Sequence, residues 1–400
     1  MNKFSLLVCA IKYPPETFLQ RLIFGLAEQG IDITLATDQK PASAWLSGHS
    51  ISWLWAPGWN VPYMERAINS IRLARYLPSW GWKKIRYLAN IGKQGNFRNR
   101  FRGWYQHLPY GKADWNAVYF PWVLAADEYM DWFTHQGVPV VVSLRGSMVN
   151  VDPHVPPKKD MVRSSLQRVF SRAAAVHCVS QDILDEAVQY GLDPHKAVVI
   201  RPAVDPGFFT PPAERSNNPR FTILNTGSLV WVKGYEYALS SIRLLVDSGV
   251  DAEFHIIGDG PERQRILYTI QDLGLEDRVA LLGKLPPTQV RDHLQQADVF
   301  MLSSLSEGIS NAVLEAMACG LPVVTTDCGG MREAVTDGVE GFVVPVRDPD
   351  AMANALLKLA LNPSLREQMG TAGRDRVLKD FYLSDQISDF SSFFYGCVDS

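Results

Sequence analysis

The feature that most constrains this chain is an alternation repeated through its second half. Six short apolar runs start at Phe221, Ala252, Val279, Val299, Val323 and Gly341, and each passes through turn residues into a stretch of helical periodicity. The spacing predicts helices over 234–248, 261–273, 287–296, 311–319, 331–336 and 350–360. Strands joined by helical crossovers imply a parallel sheet. The first half shows the same alternation more loosely. Strand-like runs occur at 4–11, 31–37, 117–120, 138–143, 175–180 and 197–200. The expected fold class is therefore α/β, with two doubly wound parallel-sheet domains, and 400 residues are enough for both. Prolines at 202, 206, 211, 212 and 219 mark a linker between them. The division is residues 1–205, a linker at 206–219, and a second domain at 220–377.

The stretch Ser306–Val324 reads as loop, helix, turn and buried strand. Asn311 or Ser310 suits the helix N-cap, Gly320 the C′ position, and Pro322 blocks continuation. Glu315 is the helix's only charge. Its side chain leans toward the N-terminus, toward the loop that carries Glu307. Two carboxylates near a helix start, whose free amides favour an anion, suit a ligand with both hydroxyl and phosphate groups. A sugar nucleotide has both.

Other strand ends offer ligand contacts, since ligands of open parallel sheets bind beyond the carboxyl ends of the strands. The loop with Glu16 and Thr17 follows the first strand, and Arg145 follows the run at 138–143. Gly227-Ser228 and Lys233-Gly234 follow Phe221–Asn225; the glycines permit close backbone approach, and Lys233 is a point charge suited to phosphate. Cys328-Gly329-Gly330 is a tight turn or a ligand approach. Gly258-Asp259-Gly260 is read as a turn, because Arg263 stands where a dinucleotide fingerprint needs its third glycine. That argues against an oxidoreductase. His177 lies in an apolar strand and is read as a core residue, and Asp348 as a helix cap.

Charge is unevenly spread. Residues 61–112 hold eleven Lys or Arg and one acid, Glu65, with six aromatic residues from Trp80 to Trp104 among them. Residues 214–400 hold sixteen basic and twenty-six acidic residues. The basic segment should be helical. It is either a solvated face over packed aromatics or a patch for an anionic membrane surface or acceptor. The net charge of −3 and the lack of any RNA- or DNA-binding motif exclude nucleic acid. Five cysteines without a C-x-x-C pair suit reduced thiols in the cytoplasm. Residues 4–11 are read as a buried strand rather than a signal core, and no apolar run is long enough to span a membrane.

Taken together, the ordered pieces resemble retaining glycosyltransferase family 4 with the GT-B fold. They are Pro15-Glu16-Thr17-Phe18, Val179-Ser180, Arg201-Pro202-Ala203-Val204-Asp205, Gly227 with Lys233-Gly234, Gly258-Asp259-Gly260-Pro261, and Glu307-x7-Glu315 followed by Ala316–Val324. The resemblance covers nearly all of the second domain and is weakest over 40–115. It implies two facing Rossmann-like domains around a cleft, with the last helix, within 378–400, returning to the first domain.

The resemblance also implies residue roles. Glu307 would bind donor-sugar hydroxyls beside the reacting centre. Glu315 would hold the ribose, and Lys233 would neutralise the departing diphosphate. The amides of Ile309, Ser310 and Asn311 would meet sugar or phosphate oxygens, and the base would pack near Lys284 and Leu285. Glu16, Thr17 and Arg145 fall on the acceptor side.

The implied activity is hexosyl transfer from a nucleotide sugar to a glycan or lipid-linked acceptor, in cell-envelope or exopolysaccharide synthesis. No metal or other cofactor is expected, and the place is cytoplasmic, peripheral at the inner face of the membrane. Two departures stand out: Ser228 where many members have Arg, and Arg145 where many have His. Ser228 leaves Lys233 a larger share of the charge. It also keeps open the alternative of a non-catalytic sugar-nucleotide- or glycan-binding relative.

Overall fold

The computed structural model describes residues 3–79, 97–111, 114–214 and 219–398. The basic and aromatic residues from Trp80 to Lys93, together with Lys112, Asn217 and Asn218, lie outside them, as do the side chains of Phe97, Arg98 and Arg100. Among the described residues two sheets form. The first contains β1 (Ser5–Val8), β2 (Asp32–Thr37), β3 (Ile51–Trp55), β4 (Ala117–Phe120), β5 (Val140–Leu144), β6 (Ala175–Cys178) and β7 (Ala197–Val199). Its strand order is β3-β2-β1-β4-β5-β6-β7. The second contains β8 (Phe221–Thr226), β9 (Ala252–Ile257), β10 (Val279–Gly283), β11 (Val299–Leu302), β12 (Val323–Thr326) and β13 (Gly341–Val344), in the order β10-β9-β8-β11-β12-β13.

Every pairing is parallel. Helices cover both faces, which is why β4, β5, β11 and β12 are buried along their whole length. In each sheet the strand order reverses once, at β1/β4 and at β8/β11. These reversals leave the crevices in which open sheets bind ligands.

Local chemistry sets the helix ends. Ser180 caps the helix Gln181–Gln189 by accepting the Ile183 N–H at 3.2 Å. Asp348 caps Pro349–Leu361 through the Ala351 N–H at 2.9 Å. The helix Asn311–Ala318 ends in a left-handed Gly320. The Gly320 N–H donates to Met317 O and the Leu321 N–H to Ala316 O, which closes the free carbonyls. Five residues of this helix are buried, so it is a core element of the second domain.

The final helix, Leu383–Gly396, packs against Thr17–Glu28 of the first domain. Its Phe390, Phe393 and Phe394 join the core that contains Leu6, Val8 and Leu22. Between the domains, Arg374 donates to the carbonyls of Pro206, Phe209 and Ala318 and ties the connecting segment to the second domain. The sequence reading missed β3. Among the described residues it pairs only with β2 and is exposed or half-buried after Ile51, so it lacks the continuous apolar run of an inner strand. The segment 61–112 does form helices where described, at Tyr63–Leu73 and Phe97–His107.

Candidate active site

The β8/β11 reversal brings two loops together. One runs from Gly227 to Gly234 after β8, the other from Ser303 to Asn311 after β11. Gly234 has φ +59°, and a Cβ there would lie 2.4 Å from Ser303 O, so only glycine lets the loops pack this closely. Ser303 Oγ donates to Lys233 O at 2.8 Å and fixes that contact. Lys233 Nζ then reaches Glu307 Oε1 at 2.5 Å, and Ser304 Oγ donates to the same oxygen at 2.7 Å. The Lys233 and Glu307 side chains are only 21% and 14% exposed, so the two charges largely depend on each other. Behind them, Gly329 at φ +55° would place a Cβ 1.9 Å from Glu307 O; the turn after β12 holds the glutamate loop from below. The adjacent helix start leaves the first amides without intrahelical carbonyls. Ile309 and Ser310 there are buried, and Asn311 faces the cleft.

The first domain supplies the opposite wall. Arg145 follows β5 directly, and its guanidinium sits 4.1 Å over the Phe18 ring and 5.8 Å from that of Trp122. Arg145 Nε is buried and has no hydrogen-bond partner among the described residues. Arg145, Trp122, Phe18, Lys233, Glu307 and Asn311 all line one cleft of about 290 Å³. A lysine–carboxylate pair, a second cation and aromatic faces thus meet in one space. That set can hold a phosphate and several hydroxyls at once.

Two family models divide the chain between them. Residues 209–376 match the group 1 glycosyl transferases, and residues 15–203 match the glycosyl transferase 4-like domain. The chain belongs to the family 4 glycosyltransferases. Among its relatives is the putative colanic acid biosynthesis glycosyltransferase WcaL of Salmonella typhimurium, 32% identical over 54% of this chain and 55% of that protein. The amylovoran biosynthesis glycosyltransferase AmsK of Erwinia amylovora is 30% identical, over 54% of each. The chain spans about half the length of these relatives.

Solved structures show the same GT-B fold. Sucrose-phosphate synthase from Thermosynechococcus elongatus aligns with a TM-score of 0.75 at 18% identity, over 99% of both chains. Anabaena Alr3699/HepE in complex with UDP aligns at 0.70 and 16%, over 99% of this chain and 100% of that one.

Within this family 4 member the expected residues fall into three groups. Lys233, Glu307, Ile309, Asn311 and Arg145 line the cleft together, with Ser310 buried between Ile309 and Asn311. Glu315 instead meets Arg21 of the helix Thr17–Glu28, at 3.4 Å across the domain boundary. Burial pushes its carboxyl up, and Arg21 opposes the shift. The two glutamates expected to converge therefore have separate partners. Gly227 lies beneath Lys233, its N–H donating to Ile257 O and its O accepting the Tyr235 hydroxyl at 3.3 Å. Ser228 is exposed. Lys284 is exposed and Leu285 half-buried at the end of β10, two strands from β8. Glu16 is the N-cap of its helix and Thr17 its exposed first residue. Burial raises the Glu16 carboxyl while Arg145 pulls it down.

Sequence reasoning missed Arg21, Ser304 and Trp122, and gave Phe18 no role beyond its place in the Pro15–Phe18 motif. Trp122 carried a signal, since it stands just past a strand end, as Arg145 does. His177 is structural. Its Nδ1 pairs with Ser143 Oγ at 2.7 Å and its Nε2 with Ile200 O at 2.8 Å, and burial first, then Arg145, pushes it down to about 3. All five cysteines are buried, and desolvation raises Cys9, Cys178, Cys328 and Cys397.

Proposed function

We propose that this chain is a retaining glycosyltransferase that moves a hexosyl group from a nucleotide-sugar donor to a glycan or lipid-linked acceptor in cell-envelope or exopolysaccharide synthesis. The observation that carries the reading is the Lys233–Glu307 contact at the β8/β11 crevice, with Arg145 in the same cleft. In this reading Lys233 and the amides at Ile309–Asn311 take the diphosphate, and charge that builds on it as the glycosidic bond breaks meets fixed donors. Glu307 gives up part of its hold on Lys233 and accepts from donor-sugar hydroxyls. Glu315 takes the ribose hydroxyls while keeping Arg21. The base lies toward Lys284 and Leu285, past Gly227 and Ser228. Arg145 meets the acceptor or the donor phosphate, with Glu16 and Thr17 further along the acceptor side. The charge is handled by these groups without a metal or other cofactor.

Two relatives named for exopolysaccharides support the setting. The UDP and UDP-glucose complexes of Alr3699/HepE make uridine donors the first to try. We place the enzyme in the cytoplasm, peripheral at the inner face of the membrane. No described helix is long and apolar enough to cross a membrane. The helix Tyr63–Leu73 exposes Tyr63, Met64, Ile68 and Ile71 beside Arg66, Arg72 and Arg75, a composition suited to an anionic lipid surface.

The test is a thermal-shift screen with UDP-, GDP-, ADP- and TDP-sugars, followed by proton NMR of the product anomer. Stabilisation by one donor class and a product of unchanged anomeric configuration fit the reading. Inversion contradicts it, and binding without turnover returns the chain to the non-catalytic alternative.

A further inference from the structure

Beyond the cleft, the first sheet carries a line of cavities along its carboxyl edge. The cleft shares Trp122 with a cavity of about 370 Å³ over Ala10, Lys12, Pro15 and Glu16. That cavity shares Ala10, Ile11 and Lys12 with a third, of about 240 Å³, which reaches Asp38, Trp59, Gln106 and Tyr110. These residues follow β5, β4, β1, β2 and β3, which are consecutive neighbours in the sheet apart from the helix-borne Gln106 and Tyr110. The path therefore crosses four inter-strand spacings of about 4.8 Å, roughly 19 Å in all. At its centre Ala10 holds φ +57°, a left-handed conformation that a non-glycine residue adopts only under constraint from its surroundings.

The lining has a consistent chemistry. Trp122 and Trp59 are half-buried. Trp59 is fixed by the Arg66 guanidinium at 4.1 Å and by the edges of Phe101 and Tyr105, so it is a rigid platform. Between the two tryptophans stand Lys12, Glu16, Asp38 and Gln106, charges of both signs and an amide. Aromatic faces spaced by mixed hydrogen-bonding groups suit sugar rings, which are apolar on their faces and hydroxylated at their rims. Glu16 and Asp38 make the path unsuited to a polyanionic strand.

The geometry points to an extended acceptor groove that holds an oligosaccharide, with its reacting end at Arg145 and Glu307 and its far end at Trp59. This rests on the glycosyltransferase reading above. A pyranose ring built from bonds of about 1.5 Å advances a glycan chain by roughly 5 Å, so the groove holds about three or four units. Its far end lies beside the helix Tyr63–Leu73, whose Arg66 covers Trp59, so a lipid carrier attached there reaches the apolar, basic face.

The test starts from lipid-linked glycans that accumulate in cells carrying the gene once it is deleted. These are purified, sized by mass spectrometry, and given to the enzyme with each nucleotide sugar. The expected acceptor holds about three or more sugars and gains the mass of one. Trimming it to a single sugar should raise KM roughly tenfold or more with little change in kcat. Lys12→Ser and Trp59→Ala should raise KM for the full acceptor more than for the trimmed one; Lys12 is exposed, so its variant folds even where Trp59→Ala does not. An acceptor with one sugar or none, or a KM indifferent to trimming and to Lys12→Ser, overturns the groove while the mass gain leaves the transferase standing. No mass gain and no nucleoside diphosphate release with any donor overturns the transferase reading, and the groove with it.

Discussion

The two halves of the cleft sit at equivalent places in their sheets, each at a reversal of strand order, yet they are built differently. On the second domain, Lys233, Glu307 and Ser304 already touch one another, and loops that tolerate no Cβ at Gly234 or Gly329 hold them in place. On the first domain, Arg145 rests on Phe18, its Nε without a hydrogen-bond partner among the described residues, and the crevice beyond it stays open as far as Trp59. Tight charged contacts suit a part that every donor shares, a diphosphate beside a sugar. A wide aromatic crevice suits a partner that differs from enzyme to enzyme. On the reading proposed above, the contrast puts the chemistry on the second domain and the choice of acceptor on the first.

The largest effect that could break this division lies at the pair itself. Lys233→Ala should lower kcat on the order of 10²–10³-fold, as loss of a preorganised charge contact does, with acceptor KM nearly unchanged. Glu307→Gln should lose a similar factor. If either variant acted mainly on acceptor KM, the division would be wrong.

Acid sensitivity should belong to the first domain. The folded state keeps His177 neutral down to about 3, whereas the unfolded chain protonates it near 6.5. The unfolded state therefore binds more protons between these values. Stability is fully present above pH 6.5 and falls as the pH drops toward 3, by about 1.4 kcal/mol per pH unit. Urea titrations from pH 7 to 5 should show this loss, and His177→Gln should make it shallower, the remainder belonging to His107, whose charged form burial also disfavours. An unchanged slope in the variant would put the acid sensitivity elsewhere.

Arg145→Met should raise acceptor KM roughly tenfold while changing donor KM little, since one charge-assisted contact is lost. The opposite split would move Arg145 to the donor diphosphate. The smallest effect is expected where the domains meet. Arg21→Leu leaves the Glu315 carboxylate without its partner, and because both side chains are about one-fifth exposed the loss should be only roughly 1–2 kcal/mol. Chemical denaturation measures it, and Glu315→Gln in the same background should recover most of the loss.

The same contrast explains what could be read from the sequence. Lys233, Glu307 and the helix start at Asn311 come from single strand–loop–helix units, so local spacing was enough to find them. The C′ role of Gly320 and the cap at Asp348 were legible for the same reason. Arg21 and Trp122 were not, because their roles depend on distant elements converging: Arg21 meets a residue 294 positions away. Glu315 was read as the only charge of its helix, but its partner Arg21 comes from the packing of the two domains. Strand β3 was hidden because an edge strand needs no continuous apolar run, and the tryptophans around it blur the alternation.

The central claim is that the Lys233–Glu307 contact is the reaction centre for a nucleotide sugar. Release of nucleoside diphosphate from UDP-, GDP-, ADP- and TDP-sugars, by wild type and by Glu307→Gln side by side, tests it most directly. The account predicts that wild type consumes at least one donor and that the variant is slower on the order of 10²-fold. Equal rates in the two proteins, or a donor that binds wild type and is never cleaved, would contradict it.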